Sequence, residues 1–309
     1  MGSPANKPKV IIICGPTGVG KTAVGIQLAE KLDGEIISAD SMQIYRYMDI
    51  GTAKPTADEQ SRIPHHMIDI VDPDENFDAV RFAEMARDKV MQLHQRGVMP
   101  LVVGGTGLYI KALLQGLFQS NPVDPKTRER LMKEAAENGS GILYDRLKRV
   151  DPDTADRLHP NDSYRIIRAL ETIESTGRSI SEHQQEHGFS DEPFNALKIY
   201  LRIDRQKLYE RIDKRVDMMI EEGLVDEVKK LLAMSYSADL KSMQSIGYRH
   251  MVEFLAEQLP WDECVRTLKR DTRRFAKRQF TWFGADRQIQ WYEPDQLNEI
   301  VRLVEGFLD

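Results

Sequence analysis

The chain has 309 residues, 41% hydrophobic and 30% charged, with a net charge of −6; that is long enough for one large domain, or a core with an insertion, around a real hydrophobic interior. No apolar run approaches the ~20 residues needed to cross a bilayer, the start "MGSPANKPK" lacks a secretory pattern, and the acidic balance excludes a uniformly basic nucleic-acid binder. Two cysteines, Cys14 and Cys264, are too few and too far apart for a zinc cluster or a disulfide framework, so the expectation is a cytoplasmic protein with reduced thiols and a loose tail from Met1 to Lys7.

In chain order, "KVIIIC" is a β-branched run that feeds a glycine loop, and apolar residues at helical spacing follow: Val24, Ile26, Leu28, Ala29 and Leu32. "GEIISAD" and "MPLVVGG" read as further strands, separated by the helix "FDAVRFAEMARDKVMQLHQRG". Alternating strands and helices imply an α/β protein with a parallel sheet covered on both faces. From Asp124 to about His187 the pattern becomes purely helical: "DPKTRERLMKEAAENG", "SGILYDRLKRV" and "NDSYRIIRALETIESTG". The polar link "GFSDEP" closes this insertion, and "LKIYLRID" returns to strand character. The expected division is therefore a first core part over 1–116, an all-helical insertion over 117–196 and a second core part over 197–309, mostly helical from Arg205 onward.

"GPTGVGKT", residues 15 to 22, fits the pattern G-x-x-x-x-G-K-[ST]. Glycines let successive backbone N–H groups turn inward, the next helix adds its positive end, Lys21 supplies a point charge, and the Thr22 hydroxyl can ligate Mg²⁺. The expected ligand is a diphosphate or triphosphate held by Gly15, Pro16, Thr17, Gly18, Val19, Gly20, Lys21 and Thr22. Nucleotide chemistry needs a second acid at the end of a later strand. "PLVVGG" ends without a carboxylate, and Asp69 and Asp72 in "MIDIVDP" fall on a shorter strand candidate.

Asp40 closes the second strand, beside the phosphate loop, where open α/β sheets bind ligands. Its carboxylate either faces a substrate or caps the next segment. The following "SMQIYRYMDIGTAKP" is too long and polar for a tight turn and reads as a substrate-facing loop. Arg211 and Arg215 stand one turn apart on a helix whose inward residues are Leu208, Ile212, Val216 and Met219, and such pairs are commonly solvated. In "RTLKRDTRRFAKRQFTWF", Arg266, Lys269, Arg270, Arg273, Arg274, Lys277 and Arg278 face one acid, Asp271. This suits phosphate contact, or else a solvated helix with acid partners elsewhere in the chain. Phe275, Phe280, Trp282 and Phe283 are expected to pack that helix on the core. His65 and His66 face opposite ways on an extended segment, a poor metal pair.

"GPTGVGKT", "SADSMQIYRYMDIGTAKP", "HHMIDIVDP", "VVGGTGLYI", "RALE", "RVDMMIEEGLVDEV", "IGYRH" and "AKRQFTWF" run in the order and spacing of the tRNA dimethylallyltransferase family. The resemblance spans about Val10 to Trp282. It implies a P-loop NTPase-like parallel sheet core flanked by helices with the helical insertion on tRNA. It also implies transfer of the five-carbon group of dimethylallyl diphosphate to the exocyclic amine of the adenosine 3′ of the anticodon. By resemblance, Asp40 is the acid that orients the amine, while Thr17, Lys21 and Arg215 hold the leaving pyrophosphate with Mg²⁺ on Thr22. The tRNA path runs along Asp40, Ser41, Met42, Gln43, Thr106, Arg128, Tyr164, Arg165, Ile166, Ile167, Arg168, Ser245, Ile246, Gly247, Tyr248, Arg249 and His250. The anticodon stem-loop is the expected partner, with no membrane and no obligate protein partner. Taken alone, Thr106 reads as a turn residue, Arg165 and Arg168 as surface charges and Tyr248 as core. Two further readings of the residues remain: a P-loop small-metabolite kinase, which leaves the basic helix unexplained, and a non-catalytic, nucleotide-regulated RNA-binding protein, which leaves Asp40 idle.

Overall fold

A computed structural model of the protein describes residues 7–117, 125–182 and 192–309. The expected loose tail before Lys7, the start of the insertion at Asp124 and most of the "GFSDEP" link lie outside the described residues. Six parallel strands form one sheet in the order β3-β2-β4-β1-β5-β6. β1 is Lys9–Cys14, β2 Gly34–Ser38, β3 His65–His66, β4 Met99–Gly104, β5 Asn195–Leu201 and β6 Gln290–Tyr292. The β-branched run Val10–Ile13 is fully buried, because β1 lies between β4 and β5 and helices cover both faces. Its register with β4 pairs Ile11 with Leu101 and Cys14 with Gly104. The loops after β1 and β4 therefore leave the sheet side by side.

The helix Lys21–Lys31 follows the phosphate loop and buries Val24, Ile26, Leu28 and Ala29. Asp78 caps the helix Ala79–Gln95 by accepting from the N–H groups of Val80 and Arg81, at a position where such a residue is worth about 1 kcal/mol. The sheet's residues Ile11, Ile13, Leu101, Val103, Ile199 and Leu201 form one cluster with Leu208 and Ile212 of the helix Arg205–Glu221. Ala276 of the helix Trp261–Phe283, and Ile300 and Val304 of the last helix, Leu297–Leu308, complete it. Residues far apart in sequence thus share one core cluster with the sheet.

The chain divides into two compact units, Met1–Leu114 with Glu192–Asp309, and Gln115–Asp191. In the described part of the second unit the helices Pro125–Asn138, Ser140–Val150, Pro152–Ala155 and Ser163–Thr176 surround a small core of Leu131, Leu143, Leu147, Ala155, Ile166 and Leu170. The expected insertion boundary at residue 196 is corrected, since Asn195 and Ala196 already pair with Lys9 and Val10 in the sheet.

One sequence expectation fails elsewhere for a local reason. "MIDIVDP" forms no strand: Met67 and Asp69 have φ of 63° and 54°, left-handed conformations that break a ladder. Only Val71 makes an isolated bridge, to Tyr45. The mostly helical C-terminal half contributes a sixth strand, β6, whose three residues pair with Ile199, Tyr200 and Leu201.

Candidate active site

A cavity of about 860 Å³ opens at the carboxyl ends of β1, β2 and β4. The phosphate loop forms one wall. Gly20, at φ 105°, is the N-cap of the helix Lys21–Lys31 and provides no side-chain cap, so the first N–H groups of that helix remain available to an anion. Thr17, Gly18, Gly20, Lys21 and Thr22 all line the cavity. The Lys21 ammonium donates to the Pro16 carbonyl at 3.0 Å. Burial pulls its pKa down to about 8, with Asp40 working against that shift and Arg215 reinforcing it.

The helix Arg205–Glu221 supplies the opposite wall through Arg211, Lys214, Arg215, Met218 and Met219. Its buried residues Leu208, Ile212 and Val216 fix which face does so. Arg211 donates to the Val19 carbonyl at 3.3 Å, pinning the phosphate loop. Arg215 is half-buried and lies in the cavity wall without an ion pair among the described residues. Desolvation lowers its pKa, and Asp40 is the acid that opposes this most. Two desolvated cations without a carboxylate partner make this a place for an anion.

Asp40 lies in the same cavity. One oxygen, Oδ1, accepts from the N–H groups of Met42 at 2.8 Å and Gln43 at 3.4 Å. Of the alternatives left open for Asp40, capping is observed, and the residue lines the cavity as well. Ser41 donates its N–H to Thr106 Oγ1 at 3.0 Å, and the Thr106 N–H donates to the Ala39 carbonyl at 3.1 Å. Gln43 is internal bracing: its amide accepts from Ser38 Oγ and donates to the carbonyls of Thr52 and Ala53.

The long loop after Asp40 lines the cavity from Asp49 to Thr56. Lys54 holds it down by bonding Asp49, Asp69 and the Tyr45 carbonyl. Glu227 accepts from the consecutive N–H groups of Asp49, Ile50 and Gly51 at 2.8 to 3.1 Å, and from the Tyr248 hydroxyl at 2.6 Å. Sequence reading missed Glu227 altogether, since its partners stand about 180 positions upstream. Phe275 and Gln279 bring the helix Trp261–Phe283 to the cavity as well.

A family model described as IPP transferase matches residues 43–287. A tRNA dimethylallyltransferase from Desulfosudis oleivorans is 54% identical over 308 residues, covering 99% of this chain and 98% of the relative. The chain belongs to the IPP transferase family. Two solved structures have the same fold. One is the tRNA isopentenylpyrophosphate transferase of Bacillus halodurans, with TM-score 0.74, 41% identity and coverage of 98% of this chain and 97% of that one. The other is a eukaryotic dimethylallyltransferase acting on tRNA, with TM-score 0.75 and 34% identity over 89% of this chain and 69% of that one. Membership in the family does not favour the kinase and non-catalytic readings.

Against the family's expected tRNA path, the structure separates surface from core. Tyr164 and Arg165 are exposed, and Met42, Ser41 and Thr106 are half-buried at the cavity end of the sheet. Arg128 forms a two-pronged pair with the fully buried Glu171, at 2.6 and 3.1 Å, and Arg168 reaches the same carboxylate at 3.5 Å. Ile166 and Ile167 belong to the core of the helical unit, and Tyr248 is fully buried on Glu227. His250 is buried too, with its pKa lowered chiefly by desolvation, and lies 3.4 Å from Asp271. All four side chains are buried: the apolar positions are used in helix packing, and the polar ones have internal partners. Ser245 and Ile246 are half-buried, Gly247 is buried before the helix Tyr248–Leu255, and Arg249 pairs with Asp271 at 2.6 Å.

On the basic helix the reading with acid partners in the chain accounts for most of the cations. Arg266 pairs with Glu263, Lys269 with Asp217, Arg270 and Arg274 with Asp271, and Arg273 with Asp213. Among the described residues no carboxylate pairs with Lys277 or Arg278. Phe283 is buried as expected, whereas Phe280 and Trp282 are 51% and 45% exposed, because on this helix they flank rather than join the inward stripe of Ala276, Gln279 and Phe283.

Among the described residues no group of three or more His, Cys, Asp and Glu could hold a metal, and His65 and His66 are bonded separately to the Ile63 carbonyl and Glu35. A Mg²⁺ ion would need Thr22 Oγ1, in the first turn of its helix, together with oxygens of the bound ligand, and that all-oxygen donor set suits a hard cation. No described helix is long and apolar enough to span a membrane.

Proposed function

We propose that this chain transfers the dimethylallyl group of dimethylallyl diphosphate to the exocyclic amine of the adenosine 3′ of the anticodon in tRNA, releasing pyrophosphate. The observation that carries the proposal is the convergence on one cavity of the open helix start, Lys21 and Arg215 on one side and Asp40 on the other. Displacement at an allylic carbon builds negative charge on the departing diphosphate. Fixed donors in a desolvated site oppose that charge without having to reorganise. The N–H groups of Gly18 to Thr22, the Thr17 hydroxyl, Lys21 and Arg215 are those donors.

Mg²⁺ bound at Thr22 would add positive charge on the same diphosphate oxygens. At the other end, the adenine amine is a weak nucleophile, since its lone pair is delocalised into the ring. Asp40 orients it by accepting a hydrogen bond and takes its proton as the C–N bond forms. The adenine must leave its stack to reach this acid, at a few kcal/mol. Met218, Met219 and Phe275 give the cavity apolar surface for the five-carbon chain between the two polar ends.

Incubating the protein with radiolabelled dimethylallyl diphosphate and unmodified tRNA tests the proposal. Label in the tRNA at the adenosine 3′ of the anticodon is the expected result. Consumption of ATP with no label in tRNA would overturn it.

A further inference from the structure

The geometry points to Gln279 as a positioning residue that sets the leaving-group end of the cavity against the acid end; this rests on the transferase reading of the site. Gln279 comes from the helix Trp261–Phe283 and is more than nine-tenths buried. Its amide is used from both sides. Oε1 accepts from the Thr17 N–H at 2.9 Å, and Nε2 donates to the Gly105 carbonyl at 2.9 Å. Thr17 belongs to the loop after β1 and Gly105 to the loop after β4, and these strands are direct neighbours in the sheet.

From Gly105 the connection continues to Asp40. Thr106 accepts from the Ser41 N–H and donates its own N–H to the Ala39 carbonyl, so the residues on both sides of Asp40 are fastened to the β4 loop. One carboxamide therefore joins the loop that carries Thr17 and Lys21 to the loop that carries the acid. In a phosphate-binding loop, inward N–H groups serve the anion. Here the Thr17 N–H is assigned to Gln279 instead, which fixes the rotation of that peptide and the backbone position from which the Thr17 hydroxyl extends.

The fit leaves no slack. A Cβ on Gly105 would stand 2.3 Å from Gln279 Nε2 and 3.3 Å from the Gly15 carbonyl oxygen, and Gly105 is not among the residues of positive φ, so alanine there presses first on the amide and does not strain its own backbone. Misplacement of reacting groups by about 1 Å lowers rates by up to roughly 100-fold. Ground-state binding of the diphosphate, which has several other donors, is far less sensitive.

The test measures single-turnover rate, KM for dimethylallyl diphosphate and melting temperature for wild type, Gln279→Met, Gln279→Glu and Gly105→Ala. Gln279→Met keeps the volume and removes both bonds. It is expected to slow transfer roughly 10- to 100-fold with KM little changed. Gln279→Glu cannot donate to Gly105 while ionised but can do so when protonated, so its deficit relative to wild type should narrow as pH falls. Gly105→Ala should slow transfer too, and combined with Gln279→Met should add little.

An unchanged rate in Gln279→Met overturns the assignment. So does a pH-independent deficit in Gln279→Glu, or a loss in which rate and melting temperature fall and KM rises together. If neither variant at position 279 folds, the glutamine serves stability and the assignment also falls. Absence of transfer by the wild type would instead overturn the transferase reading itself, whereas wild-type transfer with unaffected variants sinks only the role of Gln279.

Discussion

The two carboxylate oxygens of Asp40 stand in different surroundings. Oδ1 ties down the turn through Met42 and Gln43, and Oδ2 has no hydrogen-bond partner among the described residues, which leaves it for a ligand in the cavity. Asparagine can copy the first role but not the second, because an amide oxygen still accepts from two N–H groups while the amide as a whole is no base. Asp40→Asn should therefore fold normally and bind tRNA with little change, yet lose roughly 10²- to 10⁴-fold in turnover. Equal losses of single-turnover rate and tRNA affinity would refute the proton-accepting role. Sequence order alone could place Asp40 at the end of β2 but could not divide its two oxygens, since the capping partners sit two and three positions later and the cavity is closed by helices more than 170 positions away.

Elements are held in register by single carboxylates. Glu227, on the helix Leu224–Ala233, receives three successive backbone N–H groups of the cavity loop and the Tyr248 hydroxyl. Burial of Tyr248 and the neighbouring carboxylate together push that phenol far above its ordinary pKa, so it remains a donor. Glu227→Gln turns one acceptor oxygen into an amide that opposes the backbone donors. Urea unfolding should show a loss of about 1.5 to 3 kcal/mol, the value of hydrogen bonds to a charged group, and KM for dimethylallyl diphosphate should rise as the loop loosens. Asp271 acts likewise between the helices Tyr248–Leu255 and Trp261–Phe283, with Arg270 and Arg249 holding its carboxyl at about 2, below the ordinary 3.8. A carboxylate with a depressed pKa stabilises the fold above its unfolded value and stops doing so as pH falls through its folded one. Asp271→Asn should thus be less stable than wild type by about 2 kcal/mol at pH 7, and the difference should shrink between about pH 4 and pH 2. A difference that does not change with pH would show that packing, not charge, makes the contribution. In the sequence Asp271 reads as one acid among many cations, and its partners Arg249 and His250 emerge only when a second helix crosses it.

At the level of the whole molecule, the parallel core was legible because buried strands leave β-branched runs and the glycine loop marks the first crossover. The helical unit was legible because no strand interrupts it. β6 escaped because three residues carry no periodicity and owe their place to β5, and the two readings of the basic helix stayed open because two of its acids, Asp213 and Asp217, lie on another helix. That pairing changes what tRNA binding should look like. A chain of net charge −6 attracts RNA only through local cations, and each phosphate neutralised adds about 0.7 to 0.9 to the slope of log K against log salt. Cations already bound to carboxylates release few counterions on meeting RNA. Lys277 and Arg278, exposed and without carboxylate partners, are the ones free to do so. Replacing both by alanine should flatten the salt dependence of tRNA binding by roughly 1.4 to 1.8 in slope, whereas Arg266→Ala, which frees Glu263, should leave it nearly unchanged. Binding isotherms at several salt concentrations decide the matter. If Arg266→Ala flattens the slope as much as the double replacement, RNA breaks the internal ion pairs on docking, and the helix works as the uniformly basic face that its sequence suggests.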